Sequence, residues 1–116
     1  MQVFFILMFS PQKEVSVKKF LVLYRSDQDA AARMAAATPE QQQAGMQRWM
    51  EWFSRAGSAI VDGGAPLKGG DGTVGGYSIL QADSPEALAA VLEGHPHTTH
   101  GGGTIETYEL LPPPGT

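Results

Sequence analysis

Phe20-Leu21-Val22-Leu23-Tyr24 is a continuous apolar run, rich in branched and aromatic residues, that stops at the polar Arg25-Ser26-Asp27. A strand sends alternate side chains to opposite faces, so a run with no polar member needs cover on both. This run therefore predicts a central strand with material packed on each side, and the remaining elements must supply that material.

The best-marked helix follows. Thr38 is an N-cap, Pro39 takes the first helical position and Gln41 completes a capping box, while Gly57 offers the left-handed stop. Met46, Trp49, Met50 and Phe53 fall at i, i+3, i+4 and i+7 and predict an apolar stripe facing the sheet. Trp52 lies beside that stripe, where it would line a pocket or a subunit contact, or pack as a helix-edge aromatic. Between this helix and the first strand, Asp27 to Ala37 is Ala-rich and predicts a short helical turn.

Ala59 to Asp62 reads as a short strand, Gly63 to Gly72 as a loop, and Thr73 to Ala82 as the other arm of a hairpin, with Tyr77 and Ile79 opposite Ser78 and Leu80. Gly70-Asp71-Gly72-Thr73-Val74-Gly75 matches the dinucleotide-binding glycine pattern, but that site needs a helix after the glycines and here a strand follows. Ser84 and Pro85 open a second helix with Leu88, Val91 and Leu92 on its buried face and Gly94 as its stop; a Gly-rich turn leads to a last strand over Thr104 to Leu111. The order β-α-β-β-α-β predicts a ferredoxin-like α+β fold, a four-stranded antiparallel sheet with helices on one face. The other face, apolar in the first and third strands, calls for a second copy of the chain packed face to face, or for the N-terminal run to cover it.

A chain of 116 residues fits one domain, placed over residues 17–112, with 1–16 an extension (an extra strand or a start-site artefact) and 113–116 a tail. The apolar run Val3 to Phe9 is far short of the about 20 residues a membrane helix needs, and it lacks the charged flank and cleavage site of a signal peptide. A net charge of −4, with Lys18-Lys19 as the one basic cluster, argues against a nucleic-acid partner. The absence of cysteine excludes disulfides, thiolate metal sites and a cysteine nucleophile.

Lys18 to Tyr24, Gly75 to Leu88, Gly94-His95-Pro96-His97 and Gly102 to Pro112 resemble, in order and spacing, YCII-related proteins. The resemblance covers about residues 17 to 112 and implies a dimeric α+β barrel with a pocket between sheet and helices. Some relatives act on small, often aromatic or lactone-like molecules, including dehydrochlorination of a chlorinated hydroxyhydroquinone. One branch carries a His–Asp pair in its N-terminal half, proposed as catalytic; this chain has no histidine before His95, so that pair is not carried over. Asp62-Gly63-Gly64-Ala65-Pro66 is a loose echo of the Asp-Gly-Pro-Phe motif of another branch.

His97 stands where relatives carry a Pro-His pair, and an imidazole placed there can move a proton to or from a small acid or phenol. The bland role for His97 is to cap the preceding helix or bond loop backbone. Asp62 is its expected acid/base partner, with Tyr24, Arg25, Trp49 and Tyr77 as candidate substrate-binding residues, Arg25 as a bidentate clamp for an anionic group. His95, His97 and His100 raise zinc, but a Gly-flanked loop fixes none of the rings, and Gly101-Gly102-Gly103 reads as a turn rather than an anion cradle. The expected protein is a cytoplasmic homodimer, joined through the open sheet face, that binds a small organic molecule and catalyses a cofactor-free proton transfer or elimination. The alternatives are a non-catalytic dimeric ligand-binding module and a cofactor-independent monooxygenase-like protein. No cofactor, metal, nucleic acid or membrane is expected.

Overall fold

The computed structural model describes residues 17–100 and 102–114. The extension expected over residues 1–16 and the glycine at 101 lie outside the described residues. The chain runs through β1 (Lys18–Arg25), α1 (Gln28–Ala35), α2 (Pro39–Ala56), a 3-10 turn (Gly57–Ala59), β2 (Ile60–Pro66), β3 (Val74–Ala82), α3 (Pro85–Leu92), a short α4 (Pro96–Thr99) and β4 (Thr104–Glu109). The strands form one antiparallel sheet in the order β2-β3-β1-β4, which is the ferredoxin-like arrangement with β1 inside it, as its two-faced apolar run requires. Among the described residues no helix is long and apolar enough to cross a membrane.

The core lies between the sheet and helices α2 and α3, built from Phe20, Val22 and Tyr24 of β1, Leu80 of β3, Trp52 of α2 and Leu88 of α3. Helix α2 begins as its capping box dictates: Thr38 Oγ1 accepts the Gln41 N–H and Gln41 returns a side-chain oxygen to the Thr38 N–H. Its buried face, however, is rotated from the expected stripe. Met46 and Met50 are 67% and 64% exposed, whereas Trp52 is 2% exposed. Trp49, Trp52, Phe53 and Ala56 carry the contacts, and they keep the same i, i+3, i+4, i+7 spacing one step round the helix. Trp49 and Phe53 belong to both faces, so the rotation exchanges Met46 and Met50 for Trp52 and Ala56, and the buried Trp52 indole N–H finds an acceptor in the Val91 carbonyl at 3.0 Å.

Strand β2 is longer than the sequence predicts, running to Pro66 through irregularities in its register with β3. The Gly63-Gly64 pair, read as loop, is a bulge within the strand. Gly64 sits at φ +83, and a Cβ there would collide with the Tyr77 carbonyl, so only glycine allows β2 to come that close to β3. The remaining tip, residues 67–73, is tied to the end of β1 by the Ser26 N–H on the Thr73 carbonyl at 2.8 Å and by Arg25.

The sheet face away from the helices carries Leu21, Leu23, Tyr77 and Ile79, all half-buried, and Tyr108, which is exposed. Register aligns Tyr108, Leu21 and Ile79 across β4, β1 and β3 as one apolar row. Arg25 closes one end of this face, bonding Glu106 Oε1 at 3.1 Å and Thr73 Oγ1 at 2.8 Å.

Candidate functional site

Helix α4 is missing from the sequence reading, although its signal was present: a residue with a side-chain acceptor, His95, followed by Pro96 at the first helical position. His95 caps the helix, its Nδ1 accepting the His97 N–H at 2.9 Å, while its carbonyl accepts both the N–H and hydroxyl groups of Thr98 and Thr99. The ring is fully buried in an aromatic cage. Tyr24 stacks on it at 5.1 Å and 25°, and Trp49 and Trp52 meet it edge-on at 4.6 and 4.3 Å. Because Nδ1 accepts, the proton of the neutral ring is on Nε2, and that buried N–H has no partner. Burial first, then the neighbouring His97 and Arg55, pushes the His95 pKa down to about 4. At neutral pH this imidazole is uncharged.

His97, two residues on, is set up in the opposite way. Its Nε2 lies 2.7 Å from the Arg25 carbonyl oxygen, which can only accept, so Nε2 carries a proton, and in the neutral ring Nδ1 keeps the lone pair. Nδ1 has no bond to any described residue, nor is it buried. The ring owes its seat to Gly103, whose N–H donates to the His97 carbonyl at 3.0 Å. A Cβ on Gly103 would collide with His97 Nε2 and Cε1 and with the Arg25 carbonyl. Gly103 therefore makes room for an imidazole.

A cavity of about 370 Å³ lies between the sheet and α2, with Tyr24, Met34, Trp49, Gly64, Tyr77 and His97 on its wall. That size suits a small organic ligand. Tyr24 meets Trp49 edge-on at 5.1 Å and His97 at 5.5 Å, so an aromatic corner surrounds the open imidazole. The Tyr24 hydroxyl donates to Ser78 Oγ at 2.9 Å, and Ser78 passes its own proton to the Gly63 carbonyl at 2.9 Å. Burial raises the Tyr24 pKa, with the Ser78 bond opposing the rise, and the phenol stays protonated. A shallower depression of about 440 Å³ follows α3 and β4, lined by Leu92, Glu93, Ile105 and Thr107 among others. It contains none of the aromatic or imidazole groups just described.

Of the sequence candidates, the structure gathers Tyr24, Trp49, Tyr77 and His97 round this one cavity. Tyr77 borders it from β3, but it alternates with the buried Gly76, Ser78 and Leu80 and belongs to the sheet face away from the helices. Asp62 is exposed, and its carboxylate accepts the Gly64 N–H at 2.8 Å, closing the bulge. Arg25 turns its guanidinium to Glu106 and Thr73. Neither is among the described wall residues. His100 is exposed, and no group of three or more His, Asp or Glu side chains among the described residues is arranged to hold a metal ion. Ser78 as the acceptor for Tyr24, His95 as a buried cap and Gly103 as the seat of His97 are roles the sequence reading did not give these residues, because each depends on contacts made in the folded chain.

No protein-family model and no curated protein matches the chain. Among solved structures it is similar to 5-chloro-2-hydroxyhydroquinone dehydrochlorinase from Burkholderia phenoliruptrix AC1100, in complex with 2,5-dihydroxybenzoquinone. The two share 17% identity over 76% of this chain and 90% of that one, with a TM-score of 0.48. A likeness at this level carries no chemistry across.

Proposed function

We propose that the protein is a cytoplasmic, YCII-related homodimer that binds a small organic molecule in the Tyr24–Trp49–His97 cavity and uses His97 Nδ1 as a general base for proton transfer or elimination. One observation carries this reading: the Arg25 carbonyl holds the proton of His97 on Nε2, so the lone pair left on Nδ1 is unspent and accessible beside an aromatic-walled cavity. A base needs both a fixed tautomer and an open lone pair. The apolar row Tyr108, Leu21 and Ile79 supports association of two copies through the open sheet face.

Incubating wild type and His97→Gln in D₂O with a panel of lactones and enolisable aromatic compounds, and following deuterium incorporation by NMR, tests the catalytic claim. Wild type is expected to accelerate exchange on at least one compound while the folded variant does not; equal exchange in both removes His97 from the chemistry. Native mass spectrometry reads the dimer and any retained ligand in the same sample. The second reading, a ligand-binding module without catalysis, is favoured by Asp62, whose carboxylate is spent on Gly64. Ligand retention with no exchange on any compound selects it.

A further inference from the structure

The cavity wall specifies the charge of its ligand. Its described residues are Tyr24, Ser26, Met34, Trp49, Tyr77, His97 and the backbone around Gly63–Pro66 and Gly75–Gly76, and none bears a formal charge while His97 is neutral. The nearest cation by sequence, Arg25, is held by Glu106 and Thr73, and the nearest carboxylate, Asp62, by the Gly64 N–H.

Most of the donors here are also spent. The His97 Nε2–H goes to the Arg25 carbonyl, the Tyr24 O–H to Ser78, the Ser78 O–H to Gly63, and the Ser26 N–H to Thr73. The polar side-chain groups of the wall residues left without a partner among the described residues are His97 Nδ1, the Trp49 indole N–H and the Ser26 and Tyr77 hydroxyls, none of them charged while His97 is neutral. An ion entering such a site would give up its hydration without a counter-charge, a cost that only a neutral ligand avoids. The lone pair at Nδ1 asks for a ligand that donates.

We propose that the cavity selects an uncharged, planar ligand that donates a hydrogen bond to His97 Nδ1, and that it rejects carboxylates, phosphates and ammonium ions. This inference rests on the cavity being the ligand site. It names the form in which a weakly acidic ring arrives: protonated, with its acidic hydrogen already directed at the base.

Four ring compounds of similar size decide it at pH 7: phenol, which stays neutral as tyrosine does; anisole, which is neutral but has no hydrogen to donate; benzoate, which is an anion; and benzylamine, which is a cation. Each is titrated into the full chain while NMR follows the His97 ring and the Trp49 indole signals. Phenol is expected to shift both, with benzoate and benzylamine binding at least about tenfold more weakly, a difference of about 1.4 kcal/mol, and with anisole weaker than phenol. In His97→Phe, phenol is expected to shift the Trp49 indole signal far less than in wild type. Benzoate or benzylamine shifting both signals at concentrations equal to or below phenol would overturn the charge selection and leave the cavity as a ligand site. Anisole matching phenol would overturn the hydrogen-bond assignment. If none of the four moves either signal, the ligand site itself is wrong, and the inference fails with it.

Discussion

His95 and His97 sit two residues apart on the same short element and have been given opposite electrostatic lives. His95 is fully buried, its Nδ1 committed to a backbone N–H, its Nε2 orphaned, and its pKa pushed down to about 4 by burial and by neighbouring positive charge. His97 is partly open, with Nε2 pinned and Nδ1 unspent. The same side chain is a structural wedge in one place and keeps an open ring nitrogen in the other, and what differs is which nitrogen the backbone has claimed. Tyr24 joins the two, stacking on His95 and meeting His97 edge-on. The cage that inactivates the first histidine thereby forms one wall of the site of the second.

Removing the cage should break that contrast at its largest energetic scale. Trp52→Ala deletes a core aromatic and the bond to Val91 and is expected to cost about 3–5 kcal/mol in denaturant unfolding. In the same variant, the His95 pKa followed by NMR should rise toward its ordinary 6.5 as water reaches the ring. A His95 pKa that stays near 4 would mean that burial by Trp52 is not what depresses it.

A pH series tests the contrast at the next scale. With a folded pKa of about 4 and an ordinary value of 6.5, His95 takes a proton in the unfolded chain at a pH where the folded chain refuses it. Stability from this group is therefore complete above about pH 6.5 and is lost as pH falls toward about 4, by on the order of 3 kcal/mol, with no further loss below. His95→Phe keeps a ring in the cage and removes the titration, so its unfolding free energy should lack this descent. Parallel curves for wild type and variant between pH 7 and 4 would refute the assignment.

Much of this molecule was legible from periodicity and caps, and the failures share a cause. The Thr38 capping box, Ser84 with Pro85, the two-faced apolar run of β1 and the alternation of β3 are local rules that the fold obeys. The rotated face of α2 was not legible, because Met46 and Trp52 both satisfy a helical spacing and only the sheet decides which one it buries. The Gly63-Gly64 bulge and the Gly103 seat read as loop glycines, since what demands them is a carbonyl of β3 in one case and an imidazole in the other. For the candidate site, the aromatic and imidazole types at Tyr24, Trp49, Tyr77 and His97 were visible in sequence, but the commitments of Asp62 and Arg25 to other partners were not.

Gly103→Ala displaces the His97 ring without touching the cage. The added methyl collides with the imidazole and the Arg25 carbonyl, so a cost of about 1–3 kcal/mol is expected from overpacking alone. The His97 ring should lose its preference for the Nε2–H tautomer, visible in ¹⁵N shifts, while the His95 ring shifts stay unchanged. Changes of equal size at both histidines would show that the two environments are not separable.

The smallest stability effect belongs to the residue with the largest expected functional one. His97→Ala removes one hydrogen bond to the Arg25 carbonyl, which is only partly buried, and is expected to cost about 1 kcal/mol. The cap of α4 survives, because it is the backbone N–H of residue 97 that His95 binds. The His95 pKa should move slightly upward, since His97 contributes to holding it down. Base-dependent deuterium exchange, by contrast, should be abolished. A variant that unfolds as readily as Trp52→Ala would place His97 among the structural residues; one as stable as wild type to within about 1 kcal/mol, and inert, would confirm that these two histidines divide structure from chemistry.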